Sequence, residues 1–506
     1  LAVYWFLHQL VQFLFFLIRN NDAVVESRGV RILQTEATLE NLKVVANRQL
    51  AYPDGSVKLV GDVRIETADH LVAITGEASY SDNESLVTMP TPTEFVRGGL
   101  VARGDSARYD RQHDVVYLEP NAFVELHNND PGRNTDTSIV AESAIVAQRD
   151  GYMQFNGGAT VDVGENHMSG EKISMTLNTL DKSRIDSIEI IDNAHILRHE
   201  TRSRESQQMS ASRIVVTYDD DSIKDAELTG DASISGNGQS QQMSAPRIAV
   251  AYGKDSLEKV ELTGGALIIA GKSSTPGHIR NMSAPEINVA YETESPEAMT
   301  LRDGANIELF GNGIGDGATI SSLLMEVRFA EIDNSFDNIK ANDDVVVNMP
   351  RNTGIAQRIE SSSLEIVSQS TAVTDQDEAL LEATFDGNVR YRELRVAEDG
   401  HALSERVVLA HKLQATLEPG LTTLRLATFN WNVELSSGDI TGKADAAVYD
   451  ADEDTFTFLT LGLAGPLITA RHPVVDDRRG SMQAETITVH FEGPYLEATG
   501  GIESVL

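Results

Sequence analysis

Residues 207–230 read QQMSASRIVVTYDDDSIKDAELTG, and residues 241–264 repeat them as QQMSAPRIAVAYGKDSLEKVELTG, identical at 15 of 24 positions. A third copy, NMSAPEINVAYETESPEAMTLRDG, occupies 281–304, and a degenerate one, HMSGEKISMTL, occupies 167–177. The methionines that anchor the four copies are spaced by 41, 34 and 39 residues. A period in this range is typical of folds that stack one supersecondary unit, each copy burying its apolar face against its neighbours. The repeat therefore favours a long surface or conduit over a single catalytic pocket.

Each copy alternates apolar and polar residues with a period of two, which predicts half-buried β-strands. The strand predicted at 211–218 ends in an acidic turn at 219–222, and a second alternating run follows it. A slip of one residue would turn the whole apolar set outward, so the register is well specified. The residues predicted to face inward are Ile214, Val216, Tyr218, Leu228, Ala232, Ile234, Ile248, Val250, Tyr252, Leu262, Ala266, Ile268, Ile287, Val289, Tyr291, Leu301, Ala305 and Ile307.

The same unit recurs more faintly on both sides of the central copies, at 98–118, 438–449 and 481–491. We therefore expect an all-β protein, elongated and built from antiparallel repeats. Polar and glycine-rich stretches predict the divisions between its parts. The predicted parts are an N-terminal anchor at 1–19 and β segments at 30–126, 137–310 and 318–506.

Composition limits the classes of partner. The chain has 506 residues, with 77 Asp and Glu against 41 Lys and Arg, for a formal net charge of −36. Nucleic acid is therefore not an expected partner, because binding to phosphates needs a basic surface. The chain has no cysteine, which excludes a disulfide framework and a thiolate metal site.

The N-terminal stretch 1–18, LAVYWFLHQLVQFLFFLI, contains no charged side chain. Its length is about the minimum that crosses the hydrocarbon core of a membrane. A retained anchor, a cleaved signal peptide and a buried segment are all open interpretations. The anchor is favoured, because a signal peptide ends in small residues and this stretch ends in the bulky run 15–18. We expect a single hydrophobic helix here, with the β body outside the cytoplasm.

No catalytic constellation is apparent in the sequence. His195 and His199 are four residues apart, but the glutamate of a zinc-protease helix is missing and the context is β. Paired acids such as Asp343 and Asp344 lie in turn-like contexts and are expected in solvated loops. The chain is therefore expected not to be an enzyme and to need no cofactor or metal.

The apolar face itself has two possible uses. Filled by its own side chains, it is only a core, whereas left partly open it is a groove for acyl chains. Small residues on the inward phase, among them Gly230, Gly264 and Ala266, favour open volume between the larger aliphatic layers. The same residues would also fit at bulges or points of tight twist. Alternation alone leaves both uses open.

Residues 95–126, FVRGGLVARGDSARYDRQHDVVYLEPNAFVEL, lie between the hydrophobic stretch and the MSA-x-x-I-x-V-x-Y…E-L-T-G-x-A-x-I repeats. This arrangement resembles the periplasmic lipopolysaccharide export proteins of the LptC and LptA (OstA-like) type, whose signature is G-x-x-A-x-Y-D…V-x-L-x-G-x-V-x-V. The matching residues are Gly104, Ala107, Tyr109, Asp110, Val116 and Leu118 in one copy and Ala211, Tyr218, Asp219, Leu228, Gly230, Ala232 and Ile234 in another. The resemblance implies an antiparallel OstA-like β-jellyroll, LptC-like at 30–126 and OstA-like in the two later segments. A typical LptC has one short jellyroll, and this chain carries enough units for several.

The resemblance also implies a function, the passive transport of lipopolysaccharide or a related glycolipid across the periplasm. The predicted inward residues would line a groove that shields the acyl chains. The implied partners are an inner-membrane ABC transporter complex near strands 40–75 and another jellyroll export protein near 481–506, each joined by edge-strand addition. The implied location is the inner membrane of a Gram-negative-type bacterium, crossed once by 1–18, with the β body in the periplasm.

Two other classes of protein compete with this interpretation. The first is a membrane-anchored structural or adhesive β-solenoid with a filled core and no lipid groove. The second is a carbohydrate-active β-helix, which fits less well because its coils would be shorter than the observed period and its acids would cluster on one face.

Overall fold

The computed structural model describes most of the chain after residue 22. The described residues are 23, 25–36, 39–81, 85–127, 136–199, 206–219, 222–236, 241–253, 256–270, 278–292, 295–311, 316–330, 336–352, 354–368, 380–396, 402–460, 472–491 and 495–505. The chain divides into two compact units, Leu1–Gly230 (unit 1) and Asp231–Leu506 (unit 2). The finer segment boundaries expected from the sequence stay predictions.

The described residues form 34 β-strands and one short 3₁₀ helix. Unit 1 contains β1 (Val25–Glu36), β2 (Leu39–Ala51), β3 (Ser56–Thr67), β4 (Val72–Ser81), β5 (Leu86–Met89), β6 (Thr93–Arg97), β7 (Leu100–Gly104), β8 (Ser106–Asp110), β9 (Val115–Glu119), β10 (Ala122–Leu126), β11 (Thr137–Ala141), β12 (Ser143–Ala147), β13 (Tyr152–Val163), β14 (Asn166–Leu177), β15 (Ile185–His199) and β16 (Ser206–Asp219). The division between the units falls in β17 (Ser222–Gly236).

Unit 2 continues with longer strands and ends in short ones. Its strands are β18 (Gln242–Tyr252), β19 (Leu257–Ile269), β20 (Ile279–Glu292), β21 (Ser295–Phe310), β22 (Asp316–Phe329), β23 (Phe336–Asn352), β24 (Ile355–Ser368), β25 (Leu381–Val396), β26 (Ala402–Leu417), β27 (Leu424–Ser437), β28 (Ile440–Asp450), β29 (Thr455–Leu459), β30 (Val474–Asp477), β31 (Gly480–Gln483), β32 (Thr486–His490), β33 (Tyr495–Thr499) and β34 (Glu503–Val505). The 3₁₀ helix Pro419–Leu421 lies between β26 and β27.

The predicted all-β, antiparallel class is confirmed, since the described strands pair antiparallel in both units. The hydrophobic helix expected at 1–18 lies outside the described residues. Within the part of the chain that the structure describes, no helix is long and apolar enough to cross a membrane.

The middle of unit 1 consists of two half-sheets. Half-sheet A contains β6, β7, β10 and β11, and half-sheet B contains β5, β8, β9 and β12. Both half-sheets join the long strand β13, which pairs with β11 through 160–163 and with β12 through 152–156. Each consecutive pair of short strands, such as β7 and β8, is therefore one long strand interrupted at a corner.

Hydrogen bonds hold the corner of unit 1 together. The Asp105 amide donates to the Pro120 carbonyl at 3.0 Å, which joins neighbouring corner segments. One corner further along, the Thr91 hydroxyl accepts hydrogen bonds from the amides of Gly76 and Glu77, each at 3.0 Å. The backbone polar groups that the interrupted ladder would leave unpaired are satisfied in this way.

In unit 2 the corner is made inside the long strands by two consecutive residues with positive φ. Such residues form a bulge that bends the strand, and Gly, Asn and Asp adopt this conformation most readily. The pairs are Gly264–Gly265, Asp303–Gly304, Asp343–Asp344, Gly387–Asn388 and Trp431–Asn432, one in each odd-numbered strand from β19 to β27. Each pair coincides with a shift in register. At Gly387 a Cβ atom would lie 2.8 Å from the Cβ of Ser362, so no larger residue fits there unless the neighbouring strand shifts.

Strand parts on the two sides of a corner face each other. In unit 1, Phe95 on β6 and Tyr109 on β8 belong to opposite half-sheets, and their ring centroids are 6.3 Å apart. In unit 2, Tyr391 follows the corner of β25 and Phe429 precedes the corner of β27, with centroids 5.9 Å apart. Each unit therefore encloses an apolar interior between two half-sheets. We call the side opposite the corner, where the strands end in turns, the mouth.

The corner corrects two expectations from the sequence. Gly230 and Gly264 have φ values of 79° and 93°, and Gly230 is half-buried whereas Gly264 is exposed, so these glycines bend strands and leave no volume in the interior. Asp343 and Asp344, expected in a solvated loop, lie inside β23 at its corner. The buried residues keep the same parity before and after each of these bends. The period of two in the sequence therefore did not reveal where the strands bend.

Candidate functional site: the apolar interior and its mouth

The residues predicted to face inward lie on β16 to β21. All of them are at most 8% exposed except Tyr218 and Tyr291, which are half-buried. These two tyrosines are the last inner-face residues of β16 and β20, and burial raises the pKa of both hydroxyls. Their predicted contact with a lipid stays a prediction.

From β18 to β24 the interior of unit 2 is almost entirely aliphatic. Its buried apolar side chains are Val, Ile, Leu, Met and Ala, joined by the two aromatic residues Tyr252 and Phe336. Buried serines are found beside the corner, where the hydroxyls of Ser322 and Ser361 each donate at 2.9 Å to the carbonyl two residues further along. Such a lining offers hydrocarbon contacts without positioned polar groups.

From β25 to β32 the interior changes character and fills with aromatic rings. Phe429 and Phe456 have centroids 5.6 Å apart, and Phe456 and Phe458 have centroids 5.2 Å apart. Tyr391 and Tyr449, from opposite half-sheets, extend this stack towards the mouth at 6.2 Å. Rings of this size bury a large apolar area per residue and pack in tilted pairs.

A group of polar side chains lies where this aromatic stack reaches the mouth. We call it the Arg406 cluster, and its members are Tyr391, Glu393, Arg395, Arg406, Tyr449 and Asp454. Arg395 Nη2 donates to Asp454 Oδ2 at 2.8 Å, and Arg406 Nη2 donates to Asp454 Oδ1 at 3.1 Å. Glu393 is 1% exposed and Arg406 5% exposed, with 3.4 Å between Glu393 Oε1 and Arg406 Nη1. Two arginines and two carboxylates therefore form a network that joins the half-sheets and is buried except at Arg395, whose side chain is 35% exposed.

Hydroxyl groups and rings complete the Arg406 cluster. The Tyr391 hydroxyl donates to Glu393 Oε2 at 2.8 Å, and the guanidinium of Arg406 lies 3.7 Å from the ring centroid of Phe491. Burial, followed by the charge of Glu393, raises the pKa of Tyr391 and of Tyr449. Burial alone would lower the pKa of Arg395, but Asp454 and Glu393 outweigh it and raise that pKa. The raised tyrosine pKa values keep Tyr391 and Tyr449 neutral. The raised pKa of Arg395 means that its contacts with the two carboxylates stabilise its charged form.

Unit 1 has a smaller group of the same kind, the Arg97 cluster, formed by Asp69, Arg97, Tyr109 and Asp114. Arg97 makes a two-bond fork with Asp114, from Nη1 to Oδ2 at 2.7 Å and from Nη2 to Oδ1 at 2.6 Å. Its Nη2 also lies 2.9 Å from Asp69 Oδ2, and the Tyr109 hydroxyl donates to Asp114 Oδ1 at 2.9 Å. Burial alone would raise the pKa of Asp114, but the Arg97 hydrogen bonds and charge outweigh it and hold that pKa below the ordinary value.

The two clusters share a turn. In 109–114, YDRQHD, and in 449–454, YDADED, a tyrosine is followed five residues later by the aspartate that receives the arginine. The carboxylate of Asp110 accepts the amides two and three residues on at 2.9 and 3.3 Å, and that of Asp450 does so at 3.1 and 3.3 Å. Asp114 and Asp454 both have positive φ, at 55° and 44°. The shared turn therefore places an acid at the mouth in each unit.

Sequence reasoning identified neither cluster, although it left a usable signal. The stretch 389–396 reads VRYRELRV, in which Val389, Tyr391, Glu393 and Arg395 share one parity. Charges on the parity that is otherwise apolar mark side chains that face the interior. In β6, Arg97 likewise has the same parity as the buried Phe95, two residues before it.

The interior of unit 2 reaches the surface at the C-terminal strands. A cavity of about 380 Å³ opens there, and its lining mixes apolar residues, Val475 and Met482 from one half-sheet and Leu496 from the other, with polar ones such as Asp477 and Arg479. By contrast, a concavity of about 300 Å³ on the outer face is lined by the charged residues Arg358, Glu360, Arg390 and Arg392. Of these two concavities, the one at the C-terminal strands is the one that includes side chains of the apolar interior.

The C-terminal strands also end the described sheet. β33 pairs with β32, and β34 pairs with β31, each along one side only among the described pairings. Tyr495 and Val505 on these strands are 47% and 73% exposed. These strands present backbone groups of the kind that edge-strand addition uses.

The histidine pair considered in the sequence lies on β15. His195 is exposed, and its Nδ1 is 2.8 Å from the Asn193 carbonyl oxygen. In the described ranges no group of three or more His, Cys, Asp and Glu side chains is placed to hold a metal ion.

Comparison with known proteins finds likeness in structure only, and it is weak. No protein-family model and no curated protein matches this chain. Among solved structures, the chain is similar to LptH from Pseudomonas aeruginosa, described as the LptA-homologous periplasmic component of the lipopolysaccharide transport device. The match has 12% identity and a TM-score of 0.22, and it covers 25% of this chain and 82% of LptH. A likeness of this size is too small to carry a functional conclusion.

Proposed function

We propose that this protein carries a glycolipid such as lipopolysaccharide and shields its acyl chains between the two half-sheets. In this proposal it is not an enzyme, and its β body works in the periplasm, anchored to the inner membrane. It receives lipid from an inner-membrane ABC transporter complex and delivers it towards the outer membrane through a further β-jellyroll protein. Direction comes from the ATPase, because an aliphatic interior has no preferred direction.

The observation that carries the proposal is the difference between the two sides of the interior. On the corner side the backbone is continuous, because each strand passes from one half-sheet to the other. On the mouth side, the contacts described between the half-sheets are made by side chains, as in the Arg97 and Arg406 clusters. The half-sheets can therefore part at the mouth without breaking the backbone ladders, which a hydrocarbon chain entering sideways requires.

The lining supports the same ligand class. The aliphatic interior from β18 to β24 can exchange contacts between its own side chains for contacts with acyl chains at little cost. Each Å² of apolar surface removed from water stabilises the complex by about 25 cal/mol. The cavity beside Met482 gives an apolar chain a point of contact with the C-terminal end of the interior.

A structural protein with a filled core is the second candidate, and the burial of the interior favours it. Ile248, Leu262 and Ile287 are each 0% exposed, so the half-sheets are in contact in this structure. The two candidates differ in whether the interior ever admits a ligand. The carrier must open, and the structural protein must not.

Photo-crosslinking on the purified full chain distinguishes the two candidates. A photoreactive residue is placed at Val250, which is 2% exposed on the inner face, or at Lys259, which points outward on the neighbouring strand. Each variant is illuminated with purified lipopolysaccharide, and its folding is checked by circular dichroism. We expect crosslinks at Val250 and none at Lys259. A folded Val250 variant that never crosslinks would favour the filled core.

A further inference from the structure

The charged inner-face residues of both clusters join the half-sheets where the backbone does not. In unit 1, Arg97 ends β6 in half-sheet A, and Asp114 immediately precedes β9 in half-sheet B. In unit 2, Arg395 follows the corner of β25 and Arg406 precedes the corner of β26, so both lie in the same half-sheet, and Asp454 follows β28 in the facing half-sheet. The same kind of ion pair therefore closes the mouth in each unit.

Stability alone does not explain why charged side chains close the mouth. Removing an arginine and a carboxylate from water costs more than their attraction returns in many proteins, and apolar replacements are often as stable. An ion pair differs from an apolar contact in its directionality, since the fork between Arg97 and Asp114 forms in one alignment of the half-sheets. It therefore specifies one closed position and is lost altogether once the half-sheets move apart.

Another crossing contact in unit 1 is much weaker. The Tyr218 hydroxyl lies 4.0 Å from the Met168 sulfur, and these residues belong to strand parts that face each other across the interior. A thioether is a weak acceptor, so this contact offers little resistance to opening. Of these two described polar contacts across the mouth of unit 1, the Arg97 cluster is therefore the stronger.

We propose that the Arg97 and Arg406 clusters are ionic latches, each of which holds the mouth of its own unit shut and controls when the interior opens. This inference rests on the proposed function, because a latch matters only if the interior admits a ligand. The opening itself, however, is a property of the protein alone and is measured without lipid.

The native chain has no cysteine, so one introduced thiol reports on opening. Ala107→Cys places it on the inner face of β8, where Ala107 is 3% exposed. Its labelling by a maleimide is timed on the full chain with and without Asp114→Asn, which breaks the fork. We expect labelling to accelerate about tenfold or more, because a buried thiol reacts only in locally open states.

The matched control is Glu94→Gln, which breaks the outward pair between Glu94 and Arg103 (2.8 Å) on β6 and β7. It should change the labelling rate less than about twofold, because exposed pairs contribute little. Should Asp114→Asn fail to fold, Arg97→Lys takes its place, since it keeps the charge and loses the fork. A folded latch variant that labels no faster than the control overturns the proposal.

The two proposals fail separately. Lipid crosslinking at Val250 together with unchanged labelling at Ala107→Cys would reject the latch and leave the carrier. Faster labelling in Asp114→Asn together with a folded Val250 variant that never crosslinks would keep the latch and reject the carrier.

Discussion

The Arg97 cluster and the Arg406 cluster build the same contact from different numbers of charges. In unit 1 one arginine faces two acids, and one of these, Asp69, has a side chain that is 51% exposed. In unit 2 two arginines face two acids, and Glu393, Arg406 and Asp454 are at most 6% exposed. In unit 2, where the cluster lies against the aromatic stack, the two arginines and two acids balance in charge. In unit 1, where Asp69 is in contact with water, the cluster accommodates one acid more than it has arginines. The variants below test this difference in order of expected effect.

Arg406→Leu should have the largest effect. It leaves Glu393 and Asp454 buried with only Arg395 between them, and breaking a buried pair on one side costs about 3–5 kcal/mol. Urea unfolding followed by the fluorescence of Trp431, which lies in unit 2, measures the loss. The control is Arg392→Leu, whose exposed pair with Glu405 contributes about 1 kcal/mol or less. Equal losses in the two variants would show that burial adds nothing to the cluster.

Asp114→Asn should cost less, about 1–3 kcal/mol, the range for a buried hydrogen-bonding group that loses its partner. Arg97 keeps Asp69 at 2.9 Å, so its charge is not left unpaired. Thermal unfolding followed by circular dichroism compares this variant with Glu94→Gln. If Asp114→Asn lowered the free energy of unfolding as much as Arg406→Leu does, Asp69 and solvent would not be compensating the charge of Arg97.

Acid should remove the contribution of Asp114 gradually. Because the pKa of Asp114 is lower in the folded protein than its ordinary value of 3.8, this group stabilises the fold fully above that value. The stabilisation is lost as the pH falls through the folded pKa. The stability difference between the native chain and Asp114→Asn should therefore be constant near neutral pH and shrink below pH 3.8. A difference that persists unchanged in strong acid would assign it to packing.

Tyr391→Phe should have the smallest effect, a loss of about 1 kcal/mol in the free energy of unfolding. The variant keeps the ring in the aromatic stack and removes the hydroxyl that donates to Glu393 at 2.8 Å. Glu393 still contacts Arg395 at 3.2 Å, so its charge stays paired. Tyr109→Phe is the matched variant in unit 1. A loss well above that of Tyr109→Phe would mean that hydroxyls, and not only charges, carry the difference between the clusters.

Alternation predicted the strands and their inner faces, because a period of two fixes which side chains share a face. Ile214, Val250 and Leu301 are buried as their parity required. The corner escaped prediction because Asp343–Asp344 and Gly387–Asn388 have the residue types of loops, and single-sequence patterns do not distinguish a bend inside a strand from its end. The clusters escaped because Arg97 and Arg406 meet their acids through folding of strands that are distant in sequence. Whether the interior admits lipid depends on the free energy of opening, which no pattern encodes.

The pairs of consecutive positive-φ residues that form the corner recur regularly along the strands. Their spacing determines how this chain can be shortened or lengthened. In unit 2 every second strand contributes one pair, so the smallest segment that can be removed without changing the alternation is two strands long. Excision of 243–281, which joins Gln242 to Met282, removes one such segment and leaves the next copy in its place. Removal of a single strand would instead reverse the direction of everything downstream. Gain and loss of 34 to 41 residues at a time is therefore the natural route by which the reach of such a protein changes.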